Sequence, residues 1–82
     1  MSITLLSWNF RILAHEVGKD TYFQVHEVYY DANDIPTSYT ENPVSIEGED
    51  LKEIEWDIDM IKACLDKPVL WHGKKFPQEY KK

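Results

Sequence analysis

The sequence predicts a small α+β domain: a three-stranded antiparallel β-meander packed against one long α-helix, in the order β-β-β-α, with a short final strand possible. Three observations carry this. Residues 8–15 and 21–30 are rich in aromatic and β-branched side chains, the composition of pleated, half-buried strands. Short turn sequences, Gly18-Lys19-Asp20 and Asp31-Ala32-Asn33-Asp34, separate the strand segments, which favours tight antiparallel connections. Leu51, Ile54, Ile58, Ile61 and Leu65 then recur at alternating steps of three and four, the spacing of one helix face.

In the first strand, Trp8, Phe10, Ile12 and Ala14 point one way and Asn9, Arg11, Leu13 and His15 the other. The second strand changes parity: Phe23 and Val25 are odd, Val28 and Tyr30 even. Either both of its faces are partly buried, or a bulge near His26-Glu27 exchanges them. A short third strand spans 36–40, with Pro36 suited to its start. Residues 41–44 form an irregular link. Asp50 is the expected helix N-cap, with Glu53 three residues on completing a capping-box pattern. The helix is expected to run to about Asp66, with Pro68 just beyond it as a stop. The expected core is Trp8, Phe10, Ile12, Phe23, Val25 and Val28 from the strands, closed by the five-residue helix stripe. Residues 1–70 make the domain, and 71–82 a basic C-terminal tail, partly mobile or docked.

A chain of 82 residues buries only about 60% of its unfolded surface, so its stability is marginal without reinforcement. Cys64 is the only cysteine, which rules out a disulfide within one chain and suits a reducing compartment. It lies beside the apolar helix face and reads as a small core residue. The first residues show neither a basic leader nor a small-residue cleavage site. No run approaches the ~20 apolar residues of a membrane span. The expectation is a cytoplasmic protein without membrane contact.

Charge is uneven. Residues 1–66 carry a net −10 and residues 67–82 a net +4. An acidic body argues against nucleic acid as the partner, since phosphate contacts need clustered Lys and Arg. Tyr22, Tyr29, Tyr30 and Tyr39, with Trp8 and Phe10, make the sheet aromatic. Arg11 is the only basic residue among them, so base stacking is disfavoured too.

Imidazole and carboxylate at His15-Glu16 and His26-Glu27 are the most site-like residues, able in principle to bind zinc or share a proton. A hairpin turning at Gly18-Lys19 sets His15 opposite Tyr22 or Phe23 and His26 opposite Arg11 or Ile12, several residues apart along the ladder. Neither His-Glu-x-x-His nor Cys-x-x-Cys occurs. No catalytic residue, metal ligand or cofactor is therefore expected; a small metal-dependent enzyme using His15 and His26 is the third reading. Glu49, Asp50, Glu53, Glu55, Asp57 and Asp59 form an acidic helix rim. It complements the helix dipole at its start and offers a face for a basic protein.

Trp56 and Met60 lie nearly opposite the helix stripe, where a small domain normally shows charge. Either the tail covers them through Trp71, Phe76 or Tyr80, or another chain does. With Trp71 they are the expected contact surface. The leading reading is thus a non-catalytic, self-associating protein-interaction module, a homo-oligomer or the receptor of a protein partner.

Several local strings support a resemblance. Trp8-Asn9-Phe10-Arg11, His26-Glu27-Val28-Tyr29-Tyr30-Asp31, Thr40-Glu41-Asn42-Pro43-Val44, Gly48-Glu49 and Lys67-Pro68-Val69-Leu70 together resemble a group of small bacterial proteins of unassigned function. The resemblance covers roughly residues 8–70 and implies a bacterial origin with no known activity. In element order, and in Gly48, Glu49, Leu51, Ile54, Ile58 and Leu65, the chain is also similar to the small domain of HicB-type antitoxins. That likeness implies a dimerising module that sequesters a toxin, though the DNA-binding extension such antitoxins often carry is missing.

Overall fold

A computed structural model describes residues 7–81. Residues 1–6, on which the expectation about an export leader falls, and Lys82 lie outside the described residues. The chain forms β1 (Trp8–Val17), β2 (Asp20–Tyr30), β3 (Pro36–Tyr39), α1 (Leu51–Ala63) and β4 (Leu70–Trp71). A 3-10 turn at Cys64–Asp66 prolongs α1, and a second follows β4 at Gly73–Lys75.

β1 and β2 form a long antiparallel hairpin in unbroken register from Trp8↔Tyr29 to Val17↔Asp20. Gly18 takes φ 61° at the first position of its two-residue turn, the left-handed backbone that such a turn needs there and that glycine adopts without steric cost. β3 pairs antiparallel with β2, with a register shift at Tyr29/Tyr30. The meander is as expected, but the sheet is not purely antiparallel. β4 joins the free edge of β1 in parallel, Leu13↔Leu70 and Ala14↔Trp71, giving the order β3-β2-β1-β4 in a mixed sheet. A parallel neighbour needs a crossover, and here α1 with its 3-10 turn supplies it.

The boundary expected at residue 70 falls inside β4. The segment beyond it is docked: the His72 amide donates to the Ala14 carbonyl at 2.9 Å and the Gly73 amide to the Tyr39 hydroxyl at 2.8 Å. Lys75 contacts Glu16 at 3.7 Å and lies over the Trp71 ring, so part of the basic tail folds back on the acidic body.

Because no bulge interrupts β1–β2, both faces of β2 are partly buried. The odd-numbered face of β1 holds the main core. Leu13, Val28, Tyr30 and Leu70 cluster there with Tyr39 and Phe76 packed against them. Arg11 is buried on the same face, donating to the Tyr30 hydroxyl at 2.8 Å and the Pro68 carbonyl at 2.7 Å. On the other face Phe10 and Ala14 are buried, while Trp8 and Phe23, expected in the core, stay largely exposed.

The larger correction concerns α1. None of its residues is fully buried. The stripe expected to close the core is instead open: Leu51 is 85% exposed, Ile58 49% and Leu65 70%. The side that meets the sheet carries Trp56, whose ring lies 6.4 Å from Trp8 and 6.3 Å from Phe10, edge to face. Cys64, at the end of the helix, is the buried anchor. The reason is that strands and tail already complete the odd-face core. The helix then adds to the other face through the aromatic surface that Trp8 and Phe10 present. Among the described residues no helix is long and apolar enough to cross a membrane.

Candidate functional sites: an exposed helix face and a histidine cluster

α1 begins as its sequence requires. Asp50 is extended at the N-cap, and its carboxylate accepts from Glu53 N at 2.9 Å. The Glu53 carboxylate reaches back to Glu49 N at 3.0 Å, one residue earlier than in the usual capping box. The Asp57 carboxylate accepts from Glu47 N at 3.3 Å, tying the preceding link to the helix. So held, α1 is a fixed element that turns only one side toward the sheet.

The expected contact residues divide accordingly. Trp56 packs on the domain's own β1 with half of its surface still open, and Met60 is half-buried beside it. Trp71 packs edge-on against Tyr80 at 5.0 Å, and Tyr80 against Phe23; Phe76 packs on Tyr39. The aromatic residues of the tail therefore meet Phe23, Tyr39 and each other, and the ring neighbours of Trp56 are Trp8 and Phe10. An open apolar stripe runs along α1 and its 3-10 extension, where Leu51, Ile58 and Leu65 recur every seven residues with half-buried Ile54 and Ile61 between them.

The histidines lie closer than their ladder positions suggest. His15 pairs with Tyr22 and His26 with Arg11, within the expected alternatives. Yet the two Nε2 atoms are 3.1 Å apart, and both residues lie on the same face of the curled sheet. His72, which follows β4, completes the group: its ring stacks on His15 at 3.9 Å, and its amide donates to Ala14 O at 2.9 Å. Tyr22 stacks on His15 at 4.8 Å, and Tyr39 lies 5.1 Å from His72. His72 was not foreseen as a site residue, since nothing in its neighbourhood announces the parallel pairing that brings it here.

His26 is fully buried. Its Nδ1 lies 2.9 Å from the Thr40 carbonyl, which only accepts, so Nδ1 carries the proton and Nε2 the lone pair. His15 then donates through Nε2–H. Burial is the main cause that lowers the pKa of His15, and the neighbouring His72 and His26 add to it. Burial also lowers that of His26, partly opposed by its bond to Thr40 and reinforced by His72. The cluster is thus built to be neutral. Two imidazole nitrogens converge, but among the described residues no group of three or more His, Cys, Asp or Glu side chains is arranged to hold a metal ion. Cys64 is buried, with its thiol pKa raised chiefly by burial, which makes it a poor nucleophile.

No protein-family model, curated protein or solved structure matches this chain.

Proposed function

We propose that the protein is a self-associating protein-interaction module that pairs with a second copy of itself through the exposed face of α1. One observation carries this reading: a helix of 13 residues with none buried leaves Leu51 and Ile58 exposed, and Leu65 in the 3-10 turn that prolongs it is exposed as well. Exposed large apolar side chains aligned along one side of a helix mark a contact surface. A second copy fits because the flank of the stripe is self-complementary in charge. Glu55 and Lys62 are both exposed and seven residues apart on the same side. In an antiparallel pair with its two-fold axis near Ile58, Glu55 of each copy lies beside Lys62 of the other, the flanking ion pairs that set partner and orientation in coiled coils.

Light scattering after size exclusion, across a dilution series, tests it. The expected result is a dimer that persists into the low micromolar range. Ile58→Glu should raise the dissociation constant at least about tenfold, the effect of a central contact residue, while the circular dichroism spectrum is unchanged. A monomer at all concentrations, or a dimer indifferent to Ile58→Glu, overturns the reading.

A further inference from the structure

On the sheet-facing side of α1 lies a second feature that self-association does not use. Trp8, Phe10 and Trp56 form an aromatic triangle. Their ring centroids are 5.6, 6.4 and 6.3 Å apart and their planes are mutually inclined by 42° to 76°. They line a cleft of about 550 Å³ between the sheet, the 40–47 link and the helix, a size typical of small-ligand sites. Its walls are fixed. Thr40 N donates to Glu27 O at 3.0 Å and Val44 N to Val25 O at 2.8 Å, which seats the link along β2. The Asp57 carboxylate holds Glu47 N from the helix side.

The charge of the lining is of one sign. Glu27, Glu41, Glu47 and Asp57 border the cleft, and among the described residues no Lys, Arg or His does. Tyr29 donates to the Glu27 carboxylate at 3.0 Å, which orients it. Aromatic rings attract a cation over their faces and welcome the methylenes beside it. The carboxylates favour positive charge and disfavour anions and most neutral ligands. Four of them around one cleft call for more than a single positive charge.

From this we infer that the cleft is a binding site for an aliphatic polyamine, a flexible chain with two or more ammonium groups. The methylene segments lie against Trp8, Phe10 and Trp56, and the ammonium groups meet the carboxylates at the rim. The occupant is a free small molecule because three aromatic rings and four carboxylates border the same open cleft. The site lies on the other side of α1 from the association stripe, so it stands or falls independently of the dimer.

Spermidine titrated into the full chain, followed by calorimetry at low and physiological salt, tests the inference. Binding in the millimolar range or tighter is expected, with none for a neutral diol of similar length. Glu41→Gln with Glu47→Gln should weaken spermidine by roughly tenfold without unfolding the protein, since both side chains are exposed. Trp56→Ala should weaken it by a similar factor; Trp56→Phe, which keeps a ring on β1, should restore most of the affinity if the loss reflects the lost aromatic face. Three results overturn the proposal: no heat up to 10 times the expected range (about 10 mM on the affinity scale of a weak site); binding that neither variant changes, which marks diffuse attraction to an acidic surface; or binding confined to a lysine-rich peptide, which makes the cleft part of a protein interface.

Discussion

His26 has no solvent exposure, yet both of its ring nitrogens are used. Replacing it with Leu strands the Thr40 carbonyl and removes the acceptor for His15 Nε2–H. Stranding a buried polar group costs about 1–3 kcal/mol, so urea unfolding of His26→Leu should show a loss of at least about 2 kcal/mol. A midpoint equal to that of the parent would mean that the link over 40–47 is not held by this bond. The strand register around His26 was readable from the turn at Gly18-Lys19, because a two-residue hairpin fixes all pairs that follow. The contact with His15 was not, because the curl of a sheet is set by what packs on it, not by alternation along it. Gly48 is a second residue whose role only the structure reveals. A Cβ there would lie 2.5 Å from Glu53 Cβ, and both atoms are fixed to the backbone. Gly48→Ala must therefore displace the start of α1, at about 1–3 kcal/mol as for other overpacked sites. Thermal unfolding reads this directly, and an unchanged melting temperature would contradict the close approach.

At the scale of elements, α1 shows where sequence periodicity suffices and where it stops. Its existence, its N-cap and its end before Pro68 follow from local chemistry: Asp50 accepts from Glu53 N, and Asp50→Ala should cost about 1 kcal/mol, measured by denaturant unfolding. A loss below about 0.3 kcal/mol would assign the cap to the Glu53–Glu49 contact alone. Periodicity also identified Leu51, Ile54, Ile58, Ile61 and Leu65 as one face, and they are. It could not say which way that face turns. Two apolar sides competed for one sheet surface, and the aromatic side won through Trp56 on Trp8 and Phe10. β4 illustrates the same limit. Val69, Leu70 and Trp71 read as a short apolar segment, but whether such a segment pairs, and in which direction, depends on which strand edge is free when the helix has crossed back. The segment takes the free edge of β1, not that of β3 at the other side of the sheet, and the direction in which it returns makes the pairing parallel.

For the molecule as a whole, the histidine cluster joins the hairpin to the C-terminal segment. His15 stands on β1, His26 on β2, and His72 on the segment docked through β4. Facing them are Arg11 across the ladder from His26, Tyr22 and Tyr39. Both resolved shifts are downward and begin with burial. The unfolded chain therefore takes up protons at a higher pH than the folded one does. Stability is full above the ordinary histidine range, near pH 6.5, and falls as pH drops through that value toward the lowered folded pKa. Carboxylate protonation lies lower, so it leaves the window from pH 7.5 to 5.5 to the histidines. The urea midpoint should decline across that window, and His15→Phe should flatten the decline by removing one of the titrating rings while keeping a stack between Tyr22 and His72. Hydrogen exchange should lose protection first at the His72 amide, which bonds across the attachment to Ala14 O. If instead the midpoint is level or rises on acidification, the imidazoles are protonated in the folded state and the neutral hydrogen-bonded chain from His15 through His26 to Thr40 is wrong.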